Sequence, residues 1–145
     1  MKGGRRTARE LALKILYQTE FQSFSQSKAL KPFLENFFEK GNYSQKEKDF
    51  CSEILVGLRD NKEVIDEKIK DYSKNWDMKR MSLVDLNIMR IAVFEMICKK
   101  DVPGKAVINE ALELAKTFSG GKSPAFINGI LDQVLKEVNS LERSD

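Results

Sequence analysis

The chain has 145 residues, of which 41% are apolar and 32% are charged, with a net charge of +3 and no histidine. This composition excludes a disordered chain, and the lack of histidine removes the commonest general base and the commonest zinc ligand. The polar, arginine-rich N-terminus has no signal-peptide core, and no apolar run is long enough to span a membrane. We therefore expect a single-domain cytoplasmic protein, without a cofactor and not an enzyme.

The first predicted helix runs from about Thr7 to Phe21, because Thr7 and Glu10 match a capping box. Its core stripe comprises Ala8, Leu11, Ala12, Ile15 and Leu16. A second apolar stripe on roughly the opposite side comprises Leu13, Tyr17, Phe21 and Phe24. A helix with two apolar sides is either buried between two subdomains or presents one side to a partner, and the pattern leaves both open.

The basic residues are concentrated at the N-terminus. Residues 1–14 contain five basic residues and one acidic residue, a net charge of +4, so the remainder of the chain sums to −1. If the turn before Thr7 is helical, Arg5, Arg6 and Arg9 fall within about 100° of arc, and Lys2 extends it. Such a cluster is either a polyanion contact or a solvated, frayed terminus.

Two helices are predicted in the next part of the chain. The first spans Leu30 to Glu39, around four apolar residues. Ser44 and Glu47 match a second capping box, which opens a longer helical pattern. Because Gly57 and Asn61 are poor helix formers, the pattern is compatible with one long helix or with two.

The most apolar stretch begins at Ser82, which can cap a helix that is hydrophobic nearly all round. Such a helix is a buried one, with neighbours packed on several sides. Trp76 lies in the linker before it and either plugs the joint between two bundles or anchors another protein. Cys51 and Cys98 lie in helical apolar patterns, which indicates two small core residues of a reduced cytosolic protein, while their spacing leaves a disulfide bridge open.

Two further helices complete the chain. Pro103 suits the start of the first helix, and Ser123-Pro124 suits the start of the second. Within the second helix, we interpret Gly129 as a position where another helix packs closely. No stretch alternates as a strand would. The prediction is an all-α fold, a compact bundle of about seven helices, with subdomains 1–76 and 77–145 sharing one core.

Both ends of the chain resemble the NusB family of bacterial transcription antitermination factors. The run DVPGKAVINEALELAKTF–SPAFINGILD resembles its C-terminal signature, and GGRRTARELALKILYQTEF resembles its basic opening helix. The resemblance implies a helical protein that binds the boxA RNA element of ribosomal RNA operon transcripts together with the ribosomal protein NusE. It also implies that the pair loads onto RNA polymerase and suppresses premature termination.

The resemblance also implies two surfaces. The RNA face would comprise Lys2, Arg5, Arg6, Arg9, Tyr72, Lys122, Ser123 and Phe126. The NusE surface would comprise Tyr17, Gln18, Trp76, Arg80 and Asp85. Arginines with nearby aromatic rings suit single-stranded RNA, because they can clamp phosphates and stack unpaired bases. Phe126 also fits a core position, since it shares a helical apolar pattern with Ile130 and Val134.

Two other functions remain compatible with the residues. A similar helical domain precedes the catalytic half of ribosomal RNA cytosine methyltransferases, although no strand–helix alternation or glycine-rich cofactor loop occurs in this sequence. The other alternative is a helical protein-interaction module without RNA binding, which would use the side of the first helix that carries Leu13 and Tyr17.

Overall fold

The structure is a computed structural model that describes residues 4–18, 30–73 and 81–143. The described residues form six α-helices and contain no β-strand, which confirms the all-α class, with one helix fewer than the roughly seven expected. The helices are α1 (Gly4–Gln18), α2 (Leu30–Glu39), α3 (Gln45–Asp71), α4 (Leu83–Cys98), α5 (Gly104–Phe118) and α6 (Ser123–Arg143). None of them is long and apolar enough to cross a membrane.

Helix α1 begins at Gly4, so the start predicted at Thr7 is wrong. Thr7 and Glu10 lie inside the helix, because nothing in the preceding Gly-Arg-Arg run stops a helical backbone from extending by one more turn. The predicted core stripe is buried throughout, and Leu13 of the second stripe is buried as well. Phe21 and Phe24 lie outside the described residues.

Helix α2 has the predicted bounds, and the second capping box is confirmed by two reciprocal hydrogen bonds. The backbone N–H of Glu47 donates to Ser44 Oγ (3.2 Å), and the backbone N–H of Ser44 donates to Glu47 Oε1 (2.8 Å). Helix α3 is kinked at Asn61, where φ is −119° and ψ is 17°. The pattern that allowed one helix or two therefore corresponds to two helical segments joined at Asn61.

The chain divides at this kink into two compact units, Met1–Asp60 and Asn61–Asp145. The first unit has its core on α1, α2 and the first segment of α3. In the second unit α4, α5 and α6 pack against one another pairwise. The subdomain boundary predicted near residue 76 lies outside the described residues and stays a prediction.

Helix α4 is buried on every side, as its composition predicts. Every residue from Asp85 to Met96 is buried, and the Asp85 backbone N–H donates to the capping Ser82 Oγ (3.0 Å). Leu83, which the helical wheel places on the apolar face, is 48% exposed, because it stands at the helix end before the first full turn.

A polar network is enclosed within the second unit. The Arg90 guanidinium donates from Nε to Asp66 Oδ1 (2.8 Å) and from Nη2 to Asp66 Oδ2 (3.0 Å). It also donates from Nη1 to Asn87 Oδ1 (3.1 Å). The Asn87 Nδ2 group is buried and has no hydrogen-bond partner among the described residues. The bidentate pair ties α4 to the second segment of α3.

The two cysteines differ, so one of the two core assignments is wrong. Cys51 is fully buried, and burial raises the pKa of its thiol to about 12. Cys98 is exposed, because it is the last residue of α4, where the helix leaves the core. Partial burial still raises the pKa of Cys98, against the opposing charges of Lys100 and Lys99.

The glycine that permits close helix packing is Gly104 and not Gly129. A Cβ at Gly104 would overlap the Leu135 side chain, so the start of α5 is in close contact with α6 at this position, and a larger residue would require Leu135 to move. Gly129 is exposed, and a Cβ there would meet no atom within 4 Å. The packing role predicted for Gly129 is therefore wrong.

Candidate nucleic-acid interface

The arginines of the basic patch lie on the first turns of α1. Because the helix begins at Gly4, the turn before Thr7 is helical and Arg5, Arg6 and Arg9 do occupy one arc. Arg5 is exposed and Arg6 is half-buried. Both guanidinium groups can therefore reach a polyanion outside the protein.

Arg9 differs from its neighbours, since it is only 5% exposed. Both interpretations of the arginine cluster, a polyanion contact and a solvated terminus, require exposed side chains, and for Arg9 this expectation is wrong. Its guanidinium carbon lies 5.4 Å from the centre of the Phe50 ring, and that of Arg5 lies 4.8 Å from the same ring. Local sequence could not reveal this, because Phe50 belongs to α3 and reads as an ordinary core residue.

The start of α1 lies against the start of α3. A Cβ placed on Gly4 would be 3.9 Å from Glu47 Cγ, in the first turn of α3. Each helix N-terminus carries a partial positive charge, so two such ends add to the charge of the arginines. Lys46 and Lys48 flank Glu47 in the same turn. We call this region, made of Gly4, Arg5, Arg6 and the first turn of α3, the basic corner.

Other predicted residues fall into three groups. Tyr17 is 62% exposed, and its neighbour Gln18 is exposed too, as a partner surface requires. Tyr72, Ser123 and Phe126 are half-buried, whereas Lys122 is exposed. The predicted sites at Lys2, Trp76 and Arg80 lie outside the described residues.

The turn between α5 and α6, together with the first turn of α6, carries three of the predicted RNA contacts. Gly120 and Gly121 have φ values of 73° and 60°, a left-handed conformation that suits glycine. This double-glycine turn is followed by the exposed Lys122 and then by the first residues of α6. The turn is therefore a fixed backbone feature that presents a cation just before Ser123 and Phe126.

Asp85 has an internal role and not the surface position predicted for a NusE contact. It is 6% exposed, and its carboxylate accepts hydrogen bonds from Ser119 Oγ (2.6 Å) and Ser123 Oγ (2.8 Å). These hydroxyls stand at the end of α5 and at the start of α6. Asp85 thus fastens both sides of the double-glycine turn to α4, and we remove it from the partner surface.

The predicted RNA contacts are divided between the two units. Arg5, Arg6 and Arg9 belong to the first, whereas Tyr72 and the residues of the double-glycine turn belong to the second. A single RNA face that combines both sets stays a prediction. Among the described residues, no group of three or more Cys, Asp or Glu side chains is placed to hold a metal ion.

Comparison with known proteins gives consistent results. The model of the NusB family matches residues 6–136. The transcription antitermination protein NusB of Geotalea daltonii is 44% identical over 95% of this chain and 98% of its own. The corresponding protein of Trichlorobacter lovleyi is 43% identical over 99% and 98%.

Solved structures have the same fold. NusB of T. maritima superposes with a TM-score of 0.80 at 35% identity, over 94% of each chain. A complex of antitermination factors NusB and NusE with dsRNA contains a chain with a TM-score of 0.76 at 24% identity, over 94% of this chain and 99% of that one. At that identity the likeness concerns the fold. The match to the family model and the relatives at 43–44% identity show that the chain belongs to the NusB family.

Proposed function

We propose that the protein is a transcription antitermination factor that binds the boxA element of ribosomal RNA operon transcripts together with NusE. The observation that best supports the proposal is that this member of the NusB family has the basic corner at its surface. The assembled pair would join the antitermination complex on RNA polymerase and suppress premature termination. The protein would act in the cytoplasm as a binding protein, without a catalytic step of its own.

Electrostatics supports the basic corner as the phosphate-binding part of the site. The chain has a net positive charge only because of its N-terminal residues, and the fold adds two helix N-termini at the same place. Nucleic-acid phosphates bind favourably to such a concentration of positive charge, largely because they release counterions. Most of these contacts position the RNA and carry no sequence information.

The half-buried Phe126 supports a second element of the proposed site. A ring that is partly accessible can stack on an unpaired base, and Lys122 one turn earlier can neutralise a phosphate. We therefore include in the proposed site a stacking contact by Phe126 and a phosphate contact by Lys122. Discrimination between RNA sequences would arise at such base contacts, since the basic corner reads only charge.

Replacing Arg5 and Arg6 together with glutamine should weaken RNA binding and flatten its salt dependence. Each lost phosphate contact to a single strand reduces the magnitude of the slope of log affinity against log salt by about 0.7. The double replacement should therefore reduce it by about 1.4. Affinity should fall to a similar degree for different RNA sequences. The measurement is a filter-binding titration of a boxA oligonucleotide at several salt concentrations.

The matched control replaces Lys40 and Lys105, two exposed lysines that do not belong to the basic corner, with glutamine. It removes the same net charge and should leave the slope within error of the unmodified protein. An Arg5 and Arg6 variant that keeps the full slope would show that RNA does not bind at the basic corner. Tighter binding of a duplex than of the same single strand would contradict the choice of single-stranded RNA.

For the NusE surface, replacing Tyr17 with alanine should weaken the complex with purified NusE by about 2 kcal/mol, the usual threshold for an aromatic anchor at an interface. Because the ring is 62% exposed, helicity and the thermal midpoint should stay nearly unchanged. Isothermal titration calorimetry gives the affinity, and Val64→Ala, at a similarly exposed apolar residue, is the control. Equal affinity for the Tyr17 variant and the unmodified protein would exclude this surface.

A further inference from the structure

A single aromatic ring of the protein core contacts Arg5 of the basic corner and also Arg9, one turn further along α1. Phe50 is 6% exposed, and the guanidinium carbons of Arg5 and Arg9 lie 4.8 and 5.4 Å from its centre. Both distances fall within the range of about 6 Å over which a cation is attracted to the electron-rich face of a ring. The ring therefore contacts both cations but is too enclosed to stack on a base.

The spacing of the two arginines places two like charges close together. Arg5 and Arg9 are four residues apart on α1, so their side chains point in the same direction and their charges repel each other. Attraction to the Phe50 ring offsets part of this repulsion. It also limits the rotamers that the side chains can adopt before any ligand arrives.

Restricting the arginines in advance affects how tightly they hold RNA. A flexible surface arginine loses rotamer freedom when it clamps a phosphate, and that loss subtracts from affinity. An arginine already held on a ring loses less on binding. Because Arg9 is almost fully buried whereas Arg5 is exposed, Arg9 fills the space beside the ring and Arg5 extends from it towards solvent.

We propose that Phe50 is a positioning residue for RNA binding, which, with the buried Arg9 beside it, holds Arg5 in the geometry that contacts phosphate and does not itself touch the RNA. This inference rests on the proposed function, in that it assigns a role within the RNA site. It adds Phe50 of α3 to that site, a residue that the charge pattern of the sequence does not identify.

The test compares Phe50→Leu with Phe50→Tyr. Leucine keeps an apolar side chain but removes the ring, whereas tyrosine keeps the ring. We expect Phe50→Leu to weaken binding of a boxA oligonucleotide about five- to tenfold, the size of effect that the loss of cation–π contacts would produce. Phe50→Tyr should retain nearly full affinity.

The salt dependence separates positioning from direct contact. In Phe50→Leu the accessible Arg5 remains charged and still reaches a phosphate in the complex, so affinity should fall while the slope of log affinity against log salt stays the same. Arg5→Gln, in contrast, should reduce the slope. If Phe50 acts through Arg5, adding Phe50→Leu to Arg5→Gln should cost clearly less affinity than it costs alone.

A general loss of stability is controlled by Ile54→Val, a core change one turn further along α3 at a fully buried residue. This variant should lower the thermal midpoint but leave RNA affinity intact. Ring-current shifts of the Arg5 and Arg9 side-chain protons, measured by NMR without RNA, should disappear in Phe50→Leu and persist in Phe50→Tyr.

Three outcomes would overturn the inference. The first is that Phe50→Leu equals the unmodified protein in RNA affinity. The second is that Phe50→Tyr binds as weakly as Phe50→Leu, and the third is that Ile54→Val loses as much affinity as Phe50→Leu. If the unmodified protein fails to bind RNA, the proposed function falls and the inference falls with it, a result distinct from RNA binding that is insensitive to residue 50.

Discussion

Replacing Phe94 with alanine should lower the free energy of unfolding by about 3–5 kcal/mol, and Ile91→Ala by about 2–5 kcal/mol. Both residues belong to α4, where Phe94 is 4% exposed and Ile91 is 1% exposed. Each truncation removes apolar surface from a site that is enclosed on all sides, so the surrounding side chains can refill little of the space. Urea denaturation followed by circular dichroism gives the value.

Leu83→Ala is the matched control, because it removes an aliphatic side chain from the same helix at a position that is 48% exposed. Surface changes of this kind usually alter stability by about 0.5 kcal/mol or less. Unchanged unfolding curves for both core variants would mean that α4 does not form the centre of the second unit.

Replacing Arg90 with methionine should destabilise the protein by about 3 kcal/mol. The substitution keeps a long side chain but leaves the Asp66 carboxylate without its bidentate donor and Asn87 Oδ1 without its own. Removing one partner of a buried ion pair usually lowers the free energy of unfolding by about 3–5 kcal/mol. The lower end is expected here, because the Asp66 side chain is 23% exposed and water can partly replace the guanidinium.

A double-mutant cycle with Asp66→Asn should show that the two residues act together, with a coupling energy of about 1 kcal/mol or more. Lys136→Met, which breaks the exposed pair between Lys136 and Asp132, is the control and should change stability by about 0.5 kcal/mol or less. Additive effects of the Arg90 and Asp66 changes would contradict the importance of the bidentate pair.

Sequence predicted the helices most accurately where one local signal dominated. The all-round apolar composition of α4 predicted its burial, and Ser44 with Glu47 predicted the start of α3. The same capping pattern at Thr7 was misleading, because such a motif marks a start only when the preceding residues leave the helix.

The candidate site was predicted less completely, since burial there depends on residues far apart in the chain. Arg9 is enclosed beside Phe50, and Asp85 is enclosed by hydroxyls that follow α5. The sequence around a charged residue does not indicate contacts that come from distant parts of the chain. Charge arithmetic could locate the patch and the family motif could name its residues, but neither could separate the accessible arginines from the buried one.

The burial of α4 on every side also affects how the protein is made. Two of its helical neighbours in the second unit, α5 and α6, follow it in the chain. Translation from Cys98 to Arg143 at about 5–20 residues per second takes roughly 2–9 s. Until translation reaches Arg143, the most apolar segment of the nascent chain lacks at least part of this pair of helices. A chaperone that holds extended apolar segments near the ribosome would have its principal binding site on this helix.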